Sequence, residues 1–314
     1  MDGNIILAVG SGRDDACLFR VYRTQLAMQS EVFRDMLNLP RTTSETKNES
    51  KSEMLDDVPV LRMDDSVKDV RSTFALLWDI PPQAHQALPS DLLGILRIAT
   101  KYVIPKAREW SITAIDSIFP SDPAERYNAT HFARWREEQH AVDLILTSYL
   151  CNVSSLLPHA YYALATTDWS DHQLISTMGI SRLASEHQLL LGGGRTFLQE
   201  QLGRRFIAGG PHSEPIGYHH VQETCSGTCA SGPGVVWSPT EPYLVPIIKK
   251  ADPIRWIKDQ IVGCTDTWGF CAGCRKEWMK QAHAKIDETF DGFCSSMKLP
   301  AEEEASATVL PNME

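Results

Sequence analysis

The sequence predicts an α+β protein: a three-stranded sheet wrapped by helices over residues 1–120, followed by a mostly α-helical region. Three observations predict it. Strand-like apolar patterns cluster near the start, at 4–9, 17–22 and 58–63. From Val67 onward the apolar residues recur at helical spacing instead. Strands first and helices afterwards make an α+β unit, whereas a parallel α/β sheet needs the two to alternate.

Asn4 to Val9 is a short apolar strand, and Gly10-Ser11-Gly12-Arg13-Asp14-Asp15 is rich in turn formers. In the next strand Cys17, Phe19 and Val21 alternate with Leu18, Arg20 and Tyr22, which gives one face more apolar than the other. Residues 24–29 and 31–38 suit two short helices, with Ser30 as N-cap and Glu31 in the first turn of the second. Pro40 stops that helix. Residues 41–57, dominated by Thr, Ser, Glu, Lys and Asp, hold little apolar surface and are expected to form a flexible loop. Val58 to Met63 is the third strand, which Pro59 confines to a sheet edge or to a strand start.

Ser66-Val67-Lys68-Asp69 fits a capping box before a helix striped by Val67, Val70, Phe74 and Leu77, ended by Pro81-Pro82. Leu92, Leu96, Ala99 and Val103 mark the next helix, and Pro105 opens another through about Phe119. Residues 121–210 read as a helical region. Segments 141–150 and 153–166 flank the polar Cys151-Asn152 as a helical hairpin, and 168–178 and 181–191 are parted by Gly179. Gly192-Gly193-Gly194 is expected to break the chain as a linker, because no strand precedes it and no Lys-Ser or Lys-Thr pair follows. Phe197, Leu198, Leu202 and Phe206 stripe a further helix. Residues 211–296 form an irregular, cysteine-containing region in which Asp252-Pro253 starts a helix through Val262. Residues 297–314, with Glu302-Glu303-Glu304, read as a disordered tail.

The chain of 314 residues is 43% hydrophobic and 22% charged, the balance of an ordinary globular protein. Its net charge of −10 disfavours a nucleic-acid backbone partner, which needs a basic face. The apolar run Ile5–Val9 is too short for a signal peptide or a membrane span. An intracellular location, cytoplasmic or nuclear, is therefore expected, with eight cysteines as thiols or metal ligands rather than disulfides.

Cys225 and Cys229 lie in a Ser-Gly-Thr loop, and Cys271 and Cys274 open a charged helix. Two such pairs resemble the halves of a tetrahedral structural zinc site, although residues 230–270 are a long separation for a compact ribbon. Unmetallated thiols are the alternative reading. Cys17 and Cys151 sit on apolar stripes and are expected in the core; Cys294 is incidental. Cys271-Ala272-Gly273-Cys274 also admits a thiol–disulfide oxidoreductase, but no buried strand precedes it and too little chain follows for a thioredoxin-like sheet. No nucleophile elbow, His-Glu-x-x-His or Walker loop occurs, and an enzyme is not expected.

Phe19-Arg20-Val21-Tyr22-Arg23, Leu26-Ala27, Ser30-Glu31-Val32-Phe33 and Lys101-Tyr102-Val103-Ile104, in this order of strands and helices, resemble the BTB (POZ) domain. Ala141-Val142-Asp143-Leu144, the Leu156–Leu164 segment and the late Cys-x-x-Cys are similar to the region after that domain in a large fungal, basidiomycete-type group. The resemblance implies a protein–protein interaction module and leaves self-association through its core surface open, while exchange of an N-terminal strand, for which the family's extra helix and strand are not matched, is not expected. An adaptor such as a substrate receptor of a cullin-type ubiquitin ligase is one form of this. Phe33, Met36 and Leu37 are then the candidate partner-binding residues, with the core as the preferred place for Phe33. A zinc-containing nuclear regulator is the alternative. Other proteins are the expected partners; membrane and nucleic acid are not.

Overall fold

The computed structural model describes residues 3–10, 17–38, 54–78, 87–118, 140–170, 172–207, 252–254 and 272–298. The chain divides into two compact units, Met1–Ser117 and Ile118–Glu314.

In the first unit β1 (Ile5–Val9) is central. It pairs antiparallel with β2 (Cys17–Val21), placing Leu7 opposite Phe19. Two short helices follow, α1 (Arg23–Gln29) and α2 (Glu31–Asn38). They lie in the crossover that a parallel partner requires, and β4 (Val58–Met63) returns parallel to β1. All five residues of β1 are buried, as expected of a strand covered on both faces. The sequence expects three strands, but among the described residues the sheet has four, in the order β2-β1-β4-β3. The extra strand, β3 (Met54–Leu55), lies inside the stretch expected to be a flexible loop. Asp56 and Asp57 both take positive φ and close a two-residue turn between Leu55 and Val58. Such hairpin turns require that conformation, and Asp tolerates it. A two-residue strand is too short to leave an alternation signal. Pro59 faces Met54, whereas the β1 ladder begins at Val60, so the missing N–H of Pro59 costs no bond to β1.

Among the described residues three longer helices follow: α3 (Val67–Trp78), α4 (Pro89–Lys101) and α5 (Pro105–Ile118). Ser66 caps α3 by accepting the Asp69 N–H at 3.3 Å. The reciprocal half of the expected capping box does not form. The Asp69 carboxylate instead accepts from Arg97 Nε and Nη2 at 3.1 and 2.8 Å. Gly94 makes room for this: a Cβ there would stand 2.5 Å from Asp69 Oδ1. Phe74 of α3 meets Phe19 edge-on at 5.4 Å, and with Leu7, Val9, Val70, Ile95 and Ile98 it forms the core under the sheet. Each buried side chain of this size contributes roughly 1.5–3 kcal/mol.

The described residues of the second unit are helical. α6 (His140–Leu150) and α7 (Leu157–Ala165) form the expected hairpin, with Asn152 at φ 52 in the turn. α7 is buried on every side, the signature of a central helix. α8 (His172–Thr177) ends before Gly179, which takes a φ of 68. α9 (Ser185–Ile207) then runs unbroken through Gly192-Gly193-Gly194, contrary to the expected linker. The reason is packing. A Cβ at Gly194 would strike Met297 and Phe293 of the terminal segment that includes α10 (Ala272–Ser296). Conversely, a Cβ at Gly292 of α10 would stand 2.7 Å from the ring of Phe197 on α9. Phe197 thus fills the notch that Gly292 leaves. Met297, expected at the start of a disordered tail, is buried in this contact. Arg195 of α9 donates to Ala165 O at 2.6 Å and Thr167 O at 2.8 Å, satisfying carbonyls at the end of α7, and lies over the Trp169 ring.

Candidate functional site

The candidate partner-binding residues lie on α2, where two of the three have different environments from the third. Ser30 sits between α1 and α2, and its Oγ accepts the Phe33 N–H at 3.0 Å, the capping bond the sequence expects. The same hydroxyl donates to the backbone oxygen of Tyr102 at the end of α4. Phe33 is 1% exposed and lies stacked on the Tyr102 ring, centroids 4.6 Å apart. It belongs to the core. Leu37, one turn on, packs partly buried against the same core. Met36 points away and is 39% exposed. The α2 face left to a partner is therefore carried by Met36 and the exposed margin of Leu37.

A neighbouring residue was missed by sequence reasoning. Met28 of α1 is 83% exposed, on a helix whose one buried residue is Leu26. The helical spacing of Leu26 and Met28, two residues and about 200° apart, carried that signal.

Tyr102 ties the site down. Its hydroxyl donates to Asp65 Oδ2, while Lys101 Nζ lies 2.7 Å from Asp65 Oδ1. Burial, then the Asp65 hydrogen bond and the charges of Asp65 and Asp64, push the Tyr102 phenol well above its ordinary value. Beyond it the backbone closes α4 with paired bonds, Ile104 N–H to Ala99 O at 2.8 Å and Val103 N–H to Thr100 O at 3.4 Å. This closure puts Val103 in the left-handed region, at φ 48, with its side chain exposed. Val103 had been expected on the buried stripe of α4; the closing turn reverses the chain there and carries it outward.

In the second unit the Tyr161 hydroxyl lies 2.9 Å from His187 Nδ1 and 3.5 Å from the Tyr149 hydroxyl, and Tyr149 stacks on the His187 ring. Burial, with the Tyr149 contact second, raises the Tyr161 phenol, which keeps it protonated beside the imidazole. The cluster joins α6, α7 and α9. No spacing in the sequence announced it, because its three residues meet only in the folded unit. Tyr162 donates to the buried carboxylate of Asp252 at 2.9 Å, which fixes the Asp252-Pro253 helix start. The remainder of that expected helix, through Val262, lies outside the described residues.

Of the cysteines considered for zinc, Cys225, Cys229 and Cys271 lie outside the described residues. Cys274 lies on the backbone of α10. Among the described residues no group of three or more His, Cys, Asp and Glu is placed to hold a metal ion. Cys151 is buried as expected, but Cys17 is only partly so, because β2 stands at the sheet margin. Cys294, read as incidental, is buried on α10. No described helix is long and apolar enough to cross a membrane.

No protein-family model, curated protein or solved structure matches this chain.

Proposed function

We propose that the Met1–Ser117 unit is a BTB-like protein-docking domain and that the chain acts as a non-enzymatic adaptor inside the cell. The order of two strands, two short helices, the short β3 with the returning β4, and three helices supports the reading, since the sequence resemblance rests on strands and helices in this succession. The observation that carries it is the exposure of Met28 and Met36 on two successive helices whose other side is bound into the core. Methionine adapts its shape to a partner, and exposed apolar side chains on a rigid support are what docking faces are built from. A substrate receptor of a cullin-type ubiquitin ligase is the specific form proposed, with Met36 and Leu37 on the face that docks the ligase.

Affinity purification of the full chain from its native cell tests this, run beside the double variant Met28→Glu, Met36→Glu. Recovery of a cullin with the unsubstituted chain and its loss with the variant is expected. Partners recovered without a cullin, but lost in the variant, restrict the proposal to a docking domain of another kind. The same partners in both samples would remove the α1–α2 face.

A further inference from the structure

We propose that β2 is a docking edge that accepts an extended, acidic segment of a partner protein as an added strand. Among the described residues β2 pairs with β1 alone, so alternate backbone N–H and C=O groups along its other side lack a ladder partner. Such edges bind extended peptides through main-chain hydrogen bonds unless they are blunted by Pro, a bulge or lysines. The strand Cys-Leu-Phe-Arg-Val contains no Pro and no Lys, Arg20 is its one charged residue, and its pairing with β1 runs in unbroken register from Val21 to Cys17. Leu18 on its outward face and Tyr22 just past its end are exposed at 52% and 36%, which provides apolar grip beside the backbone groups.

Charge selects the occupant. Three guanidinium groups border this strand. Arg20 stands on its outer face with Nε donating to Gly3 O at 2.7 Å. Arg23 follows its end and donates to Leu37 O, and Arg71 brings Nη2 to 3.9 Å from Cys17 Sγ at its beginning. None of the three has a carboxylate partner among the described residues, whereas Arg34, Lys68, Arg97 and Lys101 of the same unit each have one. A chain of net charge −10 thus carries a local positive border along one strand. Arg71 and Arg20 are separated by three residues of β2, roughly 10 Å at about 3.3 Å per residue, so the charge runs along the edge rather than gathering at a point. A second copy of β2 would bring one positively charged border against another, which is unfavourable. An acidic strand meets the opposite condition. The edge uses neither Met28 nor Met36 of the α1–α2 face, although Arg23 at its end belongs to α1 and is bound to Leu37 O.

The probe is a fluorescein-labelled peptide of alternating Glu and Val, titrated into the full chain by anisotropy. A Lys–Val peptide and a single-stranded oligonucleotide serve as comparisons. The Glu–Val peptide is expected to saturate, and to weaken about tenfold on raising salt through the physiological range, or in Arg20→Glu, Arg71→Glu. Hydrogen exchange on the unsubstituted chain is expected to slow at residues 17–21 when the peptide binds, a readout that does not depend on how the variant folds. Equal binding of the Lys–Val peptide, tighter binding of the oligonucleotide, or unchanged exchange at 17–21 would each overturn the proposal.

Discussion

The rings of Phe33 and Tyr102 lie 4.6 Å apart between centroids and 7° from parallel. With the Ser30 hydroxyl bound to the Tyr102 carbonyl oxygen, this stack fastens the start of α2 to the end of α4. It sets the rotation of α2 about its own axis, which sends Phe33 and Leu37 inward and leaves Met36 outside. The separation of fold-bearing from partner-bearing residues on α2 follows from that one contact.

Phe33→Ala should therefore cost about 3–5 kcal/mol of stability, the range for emptying a buried aromatic site. Met36→Ala should cost less than about 0.5 kcal/mol, as exposed substitutions do. Denaturant unfolding followed by far-UV circular dichroism distinguishes the two. Equal losses would mean that Met36 is as deeply packed as Phe33.

Val103 offers a gain instead. A β-branched residue at φ 48 is strained by about 1–3 kcal/mol, and Gly adopts that conformation freely. Glycine raises the entropy of the unfolded chain, which takes back part of the relief. Val103→Gly should stabilise the first unit by about 0.5–1 kcal/mol, read as a rise in the denaturant midpoint. Asn152→Gly, at φ 52 in a matching closing turn, should change stability by only a few tenths of a kcal/mol, since Asn already tolerates the region. A loss of stability in Val103→Gly would show that the exposed valine side chain makes a contact worth more than its strain.

The elements with strong periodicity were legible in the sequence. Alternation in Cys17–Val21 fixed the inner face of β2, and Ser30 announced its cap because Ser before Glu31 at a helix start has few other roles. Three things were not legible, each for a physical reason. Asp56-Asp57 falls in the stretch expected to be a flexible loop because its information lies in a backbone conformation rather than in hydrophobicity. Gly192-Gly193-Gly194 has low helix propensity, and only tertiary packing against Met297 and Phe293 explains why one of the three belongs in a helix. Met36 and Phe33 could be given as one candidate face, but the choice between them required the Tyr102 ring, far away in sequence.

Alkaline titration should expose the two buried phenols. Tyr102 and Tyr161 hold their protons in the folded chain above the ordinary phenol value of about 10, each chiefly through burial. In the unfolded chain both release their protons near that value. The unfolded state therefore gains at high pH. The stability that the two phenols supply is complete below about pH 10 and is lost as pH rises above it. Tyr102→Phe should flatten the decline of stability above pH 10 while leaving the neutral side of the curve shaped as before. An unchanged alkaline slope in both Tyr102→Phe and Tyr161→Phe would exclude these groups as its source.

The glycines of α9 give a contrast within one turn of helix. A Cβ at Gly192 or Gly193 meets nothing within 4 Å, while one at Gly194 would collide with Met297 and Phe293. Replacing an open helical glycine by alanine removes the entropic disadvantage of glycine, so Gly193→Ala should stabilise the second unit by about 0.5–1 kcal/mol. Gly194→Ala gains the same propensity but forces the terminal segment away, and overpacking of this kind costs about 1–3 kcal/mol. Gly292→Ala should be destabilising as well, because its Cβ would stand 2.7 Å from the Phe197 ring. Pairing Gly292→Ala with Phe197→Leu tests the notch directly. If the ring is the obstacle, the double variant should be less destabilised than the sum of the two single variants. Strict additivity would mean that α9 and α10 do not pack through this glycine.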